Sequence, residues 1–265
     1  MARLLTGREA ASALTEELKG RTASLARQGV TPKLVILRCG ENEADGAYLR
    51  GALKRGALCG VEVEVRTLPD TASRQQLLNA IDAVNADSTV HGCLLLRPLP
   101  PHLRDAEPEI CDRLLPEKDV DGMTGTSAAG VYLGRPLGFA PCTAEAVTVL
   151  LEHYGVACAG KRAVVIGRSP VVGRPAAMLL LARNATVTVC HTATADLPAV
   201  TREADIIVSA AGAAGSLTAS HVGDAEFDAV SAVVDAITPV PGGVGTVTSA
   251  VLMRHVVLAA ERGRK

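Results

Sequence analysis

The chain has 265 residues, 48% hydrophobic but only 2% aromatic, with no Trp and a formal net charge of −1. That length suits one large domain or two modest ones packed with aliphatic side chains. Balanced charge with no block of one sign argues against nucleic acid or a membrane surface as partner, and no apolar run approaches the roughly 20 residues of a bilayer span.

Residues 8–27 place Ala11, Leu14, Leu18 and Leu25 at helical spacing, and Pro32 then leads into an apolar strand at 34–37. A helix is expected over 44–59, then a strand at 61–65 with period-two alternation. Leu77, Leu78, Ile81 and Val84 share one face of a helix predicted over 74–84. The strand expected at 90–96 stops at Pro98-Leu99-Pro100-Pro101. Strands interleaved with helices imply a parallel α/β layer. Residues 116–139, rich in Gly and Thr, read as loop. Thr143 is expected to cap a helix over 144–153, with Glu145 near its positive end. A second α/β run starts at Lys161, with strands expected at 163–166, 186–190 and 206–210 and a further candidate at 230–237. A closing helix over 249–260 would bury Val251, Leu252, Val256 and Ala259. Two α/β lobes with a cleft between them is the expected architecture.

The seven cysteines are scattered and none forms a C-x-x-C pair, so no metal site is expected. Reduced core or turn cysteines, together with an N-terminus that lacks a signal-peptide core, place the chain in the cytoplasm.

Four stretches can carry chemistry. In the first, the strand ending at Ile166 meets Gly167-Arg168-Ser169 and, at Gly173, a loop that opens a helix expected over 176–182. Such a turn offers backbone N–H groups to a phosphate. An ordinary β–α turn would look similar, since Gly167 and Gly173 lack the usual G-x-G-x-x-G spacing. The next strand ends in Cys190-His191-Thr192 with no acid to meet ribose hydroxyls, which favours NADP over NAD, although His191 and Thr192 could be simple loop caps. The second stretch, Pro116-Glu117-Lys118-Asp119-Val120-Asp121-Gly122, could aim one carboxylate into a cleft or be a solvated charged turn. The third, Thr238 to Gly245, combines prolines that restrict the chain with glycines that admit a flat ligand, and a rigid connection would need the same residues. The fourth is Tyr48, a helical tyrosine that could serve packing as readily as binding.

In this order the motifs resemble those of the methylenetetrahydrofolate dehydrogenase/cyclohydrolase family. The likeness covers the helix around Tyr48, Lys118 to Gly122, Pro141-Cys142-Thr143, the Gly167 to Pro175 loop, Ala185 to His191, and Thr238 to Gly245. It implies a folate-binding domain over 1–140, a Rossmann-like NAD(P)-binding domain with a shortened sheet over 141–246, and a C-terminal helix, 247–265, returning to the first. It implies NADP-dependent oxidation of 5,10-methylenetetrahydrofolate by a homodimer. Tyr48 and Asp121 would be the catalytic and substrate-binding residues, Tyr48 stacking on the folate and Asp121 holding the aminopyrimidine edge of its pterin. Pro241 and Gly242 would line the folate slot. Thr143, Gly167, Arg168, Ser169, Gly173, His191 and Thr192 would hold the dinucleotide, with Arg168 and Thr192 nearest the 2′-phosphate.

The chain also departs from the family's pattern. Where the family reads Tyr-x-x-x-Lys-x-Lys, this chain has Tyr48-Leu49-Arg50-Gly51-Ala52-Leu53-Lys54, so Ala52 stands at the catalytic lysine. Lys54 would point elsewhere, whereas Arg55 is expected to share the face of Tyr48 and Ala52. The family's Gln-Leu-Pro-Leu appears as Leu96-Arg97-Pro98-Leu99. Residues 210–238 are short by about one strand and loop, so the glycine expected beside the nicotinamide is either Ala236 or absent. Cyclohydrolase activity is therefore in doubt, and a catalytically silent binder of folate or nucleotide is the other reading.

Overall fold

Aliphatic runs form the strands, and in each half of the chain the most apolar run takes the centre of a parallel sheet. The structure, a computed structural model, describes residues 2–41, 43–212, 231–232 and 234–263, the side chains of 43–45 and 47 excepted. It divides into two compact units, Ser12–Cys142 with Ser249–Lys265, and Met1–Ala11 with Thr143–Thr248. The first eleven residues, expected with the first domain, thus cluster with the second.

In the first unit β2 (Lys33–Cys39) lies between β3 (Glu62–Leu68) and β4 (Gly92–Leu95), all parallel. Leu34, Val35, Ile36 and Leu37 are all buried, as a strand covered on both faces requires. The edge strand β3 carries charge instead. Glu64 pairs with Arg66 at 2.6 Å and with Lys33 at 2.9 Å, and such charges discourage a further strand from pairing. Helices α2 (Glu43–Cys59) and α3 (Arg74–Ala86) make the crossovers. Helix α3 starts where it does because Ser73 and Gln76 form a reciprocal capping box. At its other end Lys118 donates to the carbonyls of Val84, Asn85 and Asp87. Leu77, Ile81, Val84, Leu37 and Leu95 meet in one core with the short helix α4 (Glu107–Asp112).

Two sequence expectations need correction here. The stretch read as loop contains helix α5 (Gly125–Leu133). Gly and Thr are poor helix formers, but Thr124 caps it by accepting from the Ser127 N–H. The final helix, α9 (Val244–Arg262), starts five residues earlier than its apolar face suggested, and by length and composition it is apolar enough to cross a bilayer. In this fold Val251, Leu252, Met253, Val256 and Val257 are buried in protein, the pattern of a core helix.

In the second unit β5 (Arg162–Ile166) lies between β6 (Thr186–Cys190) and β7 (Ile206–Ser209), again parallel. Ala163 and Val165 pack towards Ala177 and Leu180 of α7 (Gly173–Leu181), while Val164 and Ile166 pack towards Leu197 and Val200 of α8 (Leu197–Arg202). This is a doubly covered, Rossmann-like layer. A separate parallel pair joins β1 (Arg3–Leu4) to β8 (Ala236–Ile237); the strand expected over 230–237 is thus shorter, since among its described residues 231–232 are helical and turn and 234–235 are irregular. Helix α6 (Cys142–His153) begins before Thr143, which therefore sits in the first turn rather than at the cap. The segment expected to be short falls largely on residues 213–230, outside the described ones.

Candidate active site

Strand β5 ends at Ile166 and the chain turns sharply at Gly167, whose φ is +118°. A Cβ there would strike the Ala210 carbonyl oxygen, and one on Gly173 would strike the carbonyl oxygen of Gly167. Neither position admits a side chain, so the loop folds tightly against the N-terminus of α7. Ser169 organises this loop: its hydroxyl accepts from the Val172 N–H at 3.1 Å and the Gly173 N–H at 3.4 Å. Arg168 is exposed at the rim and has no ion-pair partner among the described residues.

After β6, the His191 Nδ1 accepts from the Ala193 N–H and Thr194 closes the turn, while Thr192 stays exposed. The first acid beyond the strand, Asp196, caps α8 by accepting from the Ala199 N–H. The turn after β6 thus offers no free carboxylate to a ribose 2′-hydroxyl among the described residues, and the exposed Arg168 suits a phosphate instead. The buried hydroxyl of Ser209, at the end of β7, lacks a hydrogen-bond partner among the described residues. A cradle closed to side chains, a free cation at its rim and an orphaned hydroxyl together fit a phosphorylated dinucleotide.

Pro241 and Gly242 are exposed in the turn before α9, in this same unit. The Gly242 carbonyl accepts from the Gly7 N–H at 2.8 Å. Gly242 and Pro239 line a crevice of about 400 Å³ with Thr6, Arg8, Glu9 and Thr246. The N-terminal residues of this crevice carry no motif and were not foreseen.

In the other unit the two acids of the Lys118–Gly122 turn separate by role. Asp119 is fully buried and accepts from the Met123 N–H (3.0 Å), the Thr124 N–H (2.9 Å) and the Ser127 hydroxyl (2.6 Å), so it is structural. Asp121 instead faces Tyr48. Burial, then the Asp121 carboxylate and Cys142, push the Tyr48 phenol far up. Burial likewise pushes the Asp121 carboxyl from its ordinary 3.8 up to about 6, opposed chiefly by Arg97. The backbone beneath Asp121 is clamped. His255 Nδ1 lies 2.8 Å from the Val120 carbonyl oxygen, and Cys142 Sγ donates to that oxygen at 3.3 Å. A carbonyl only accepts, so this histidine nitrogen carries the proton.

The structure therefore brings Tyr48 and Asp121 together, and with them Arg97, Cys142 and His255. Ala52 and Leu96 are buried. Arg55, expected on the face of Tyr48, donates to Thr15 of α1 (Gly7–Ala26) at 2.7 Å, and Lys54 is exposed. Arg97 was visible as a cation where the family pattern has leucine. His255 could not be foreseen, because it lies far from the motifs along the chain.

One unit with a tight strand–loop–helix turn suited to a phosphate, and another in which Tyr48 and Asp121 lie close together, define an α/β protein of the dinucleotide-binding class. Residues 5–121 match the catalytic-domain model of tetrahydrofolate dehydrogenase/cyclohydrolase, and 141–222 and 216–264 match its NAD(P)-binding domain. The chain belongs to the tetrahydrofolate dehydrogenase/cyclohydrolase family. It is 47% identical to the bifunctional protein FolD of Carboxydothermus hydrogenoformans over 214 residues, 81% of this chain and 74% of that one. The structure resembles the Campylobacter jejuni FolD dehydrogenase/cyclohydrolase (TM-score 0.93, 36% identity, 99% of each chain). It also resembles the Trypanosoma brucei enzyme, solved with NADP cofactor and an inhibitor (TM-score 0.90, 32% identity, 100% of this chain and 99% of that one).

Proposed function

We propose that this chain oxidises 5,10-methylenetetrahydrofolate to the methenyl form with NADP, and that it hydrolyses the methenyl product only weakly. One observation supports the asymmetry: Tyr48 and Asp121 are close neighbours, both largely buried, while the lysine position is a buried alanine, Ala52. NADP, when bound, supplies the hydride acceptor. Removing a hydride from the methylene carbon lets a ring nitrogen close the C=N bond with no proton to move, so the protein's task is positioning. Tyr48 stacks on the pterin and Asp121 accepts from its N–H edge. Gly167 and Gly173 shape the pyrophosphate cradle, Ser169 and Thr143 donate hydroxyls, and Arg168 with His191 and Thr192 receives the 2′-phosphate. Pro241 and Gly242 border the folate slot.

Hydrolysis is different, because water must lose a proton as it adds to the methenyl carbon. General acid–base catalysis contributes about 10²–10⁴ to such steps. Neither Lys54 nor Arg55 is placed to supply it, and a guanidinium does not readily carry protons. The test follows NADPH formation from methylenetetrahydrofolate and then the decay of the methenyl absorbance. Fast NADPH formation with methenyl decay near the uncatalysed rate is expected. Decay as fast as in FolD enzymes would overturn the asymmetry. The silent-binder reading is not favoured, since the relatives it resembles are enzymes.

Two coarser features belong to this reading. Seven free thiols suit a reducing cytoplasm. Strand β6 pairs only with β5 among the described residues and exposes Val189, an edge suited to a second copy of the chain. Light scattering at twice the chain mass would support the homodimer.

A further inference from the structure

Loss of the lysine leaves a question of charge. Tyr48, Asp121, Ala52 and Leu96 describe a pocket stripped of its expected cation and amide, yet Asp121 must be ionised to accept from two N–H donors. Arg97 stands where the family pattern has leucine. Its Nη2 lies 3.7 Å from Asp121 Oδ2, and its Nη1 lies 3.9 Å from Glu107 Oε1. All three side chains are largely buried, between 19% and 25% exposed. Glu107 is itself anchored: it opens α4, and its other oxygen accepts from the Leu99 N–H at 3.2 Å. An ordered chain thus runs from the start of α4 through Glu107 and Arg97 to Asp121.

We propose that Arg97 is a positioning residue for the folate, serving as the charge partner that holds the Asp121 carboxylate in place for the N–H edge of the pterin. This inference rests on the folate reading above and adds a residue to it. The other groups facing Asp121 are Tyr48, Asp119, Cys142 and His255. Asp119 raises the carboxyl, whereas Arg97, Cys142 and His255 lower it, with Arg97 foremost. Arg97 cannot reproduce the lysine's proton transfer. It can reproduce a positive field, which is what binding without hydrolysis requires.

The experiment compares wild type, Arg97→Leu and Arg97→Lys as full-length proteins, reading kcat/KM for methylenetetrahydrofolate against pH. Direct titration with tetrahydrofolate is run in parallel. An opposite charge at this distance shifts a carboxyl by about 1–3 pH units. Arg97→Leu should therefore move the acid limb up by at least about one unit, lowering kcat/KM about fivefold or more at pH 6 and much less near pH 9. The loss should fall on the KM for folate, with kcat and the KM for NADP little changed, and Arg97→Lys should restore most of the limb. A merely structural pair would lower thermal stability without moving the limb. An unmoved limb in both variants, with KM for folate unchanged, overturns the proposal while leaving the dehydrogenase reading intact. A wild type that binds tetrahydrofolate without turnover overturns that reading instead, and the pH dependence of binding then tests Arg97 alone. Wild type that neither binds nor turns over overturns both.

Discussion

Asp119 and Asp121 stand two residues apart with opposite consequences. Asp119 accepts three hydrogen bonds in a fully buried site, so Asp119→Ala strands the Met123 and Thr124 N–H groups and the Ser127 hydroxyl. We expect that change to cost roughly 3 kcal/mol in urea unfolding, whatever ligand is present. Asp121 is the reverse case. Its carboxyl is raised in the folded state from 3.8 to about 6 by burial, so ionising it there opposes folding. The penalty is complete above about pH 6, fades as pH falls towards 4, and corresponds to at most ~3 kcal/mol. Asp121→Asn should therefore raise the unfolding free energy at pH 8, lose that gain near pH 4, and abolish tight folate binding. Equal stability of the two proteins at pH 8 would show that the Asp121 carboxyl is not raised in the folded state. A residue that weakens the fold and is kept ionised is what a binding carboxylate requires.

At the scale of elements, the β5–loop–α7 unit depends on two positions without side chains. Gly173→Ala would press a methyl into the Gly167 carbonyl, and Gly167→Ala would also impose a φ of +118° on an L residue. Calorimetric titration should show NADP affinity falling by at least about tenfold for either variant, with tetrahydrofolate affinity much less affected. This loop was legible in the sequence because its apolar strand, glycines and following helix are contiguous. Helix α5 was not, since its Gly125 and Gly130 read as loop and the Thr124 cap becomes informative only once Ser127 is placed above it. Arg55 was misplaced for a related reason. Helical spacing puts it near the face of Ala52, but only tertiary packing reveals Thr15 as its partner. The Val120 carbonyl clamp was invisible too, because Cys142 and His255 meet it from 22 and 135 residues away.

Across the whole molecule, the chain passes from one unit to the other three times, each time within a helix. It crosses after residue 11 in α1, after residue 142 in α6 and after residue 248 in α9. Neither unit can lose its structure without breaking these helices near their starts, and helix formation is cooperative. We therefore expect calorimetry to give one unfolding transition with calorimetric and van't Hoff enthalpies equal, despite separate cores around Leu37 and Val165. The ligands should then act on that single transition. NADP at a hundredfold its dissociation constant stabilises the native state by about 2.7 kcal/mol, and tetrahydrofolate at the same excess should do likewise. Because each ligand binds the native molecule, both together should shift the midpoint by close to the sum if the sites are independent, and by more if one ligand orders the site of the other. Two resolved transitions, with NADP moving one and tetrahydrofolate the other, would show that the helices bend at the boundary rather than couple the cores.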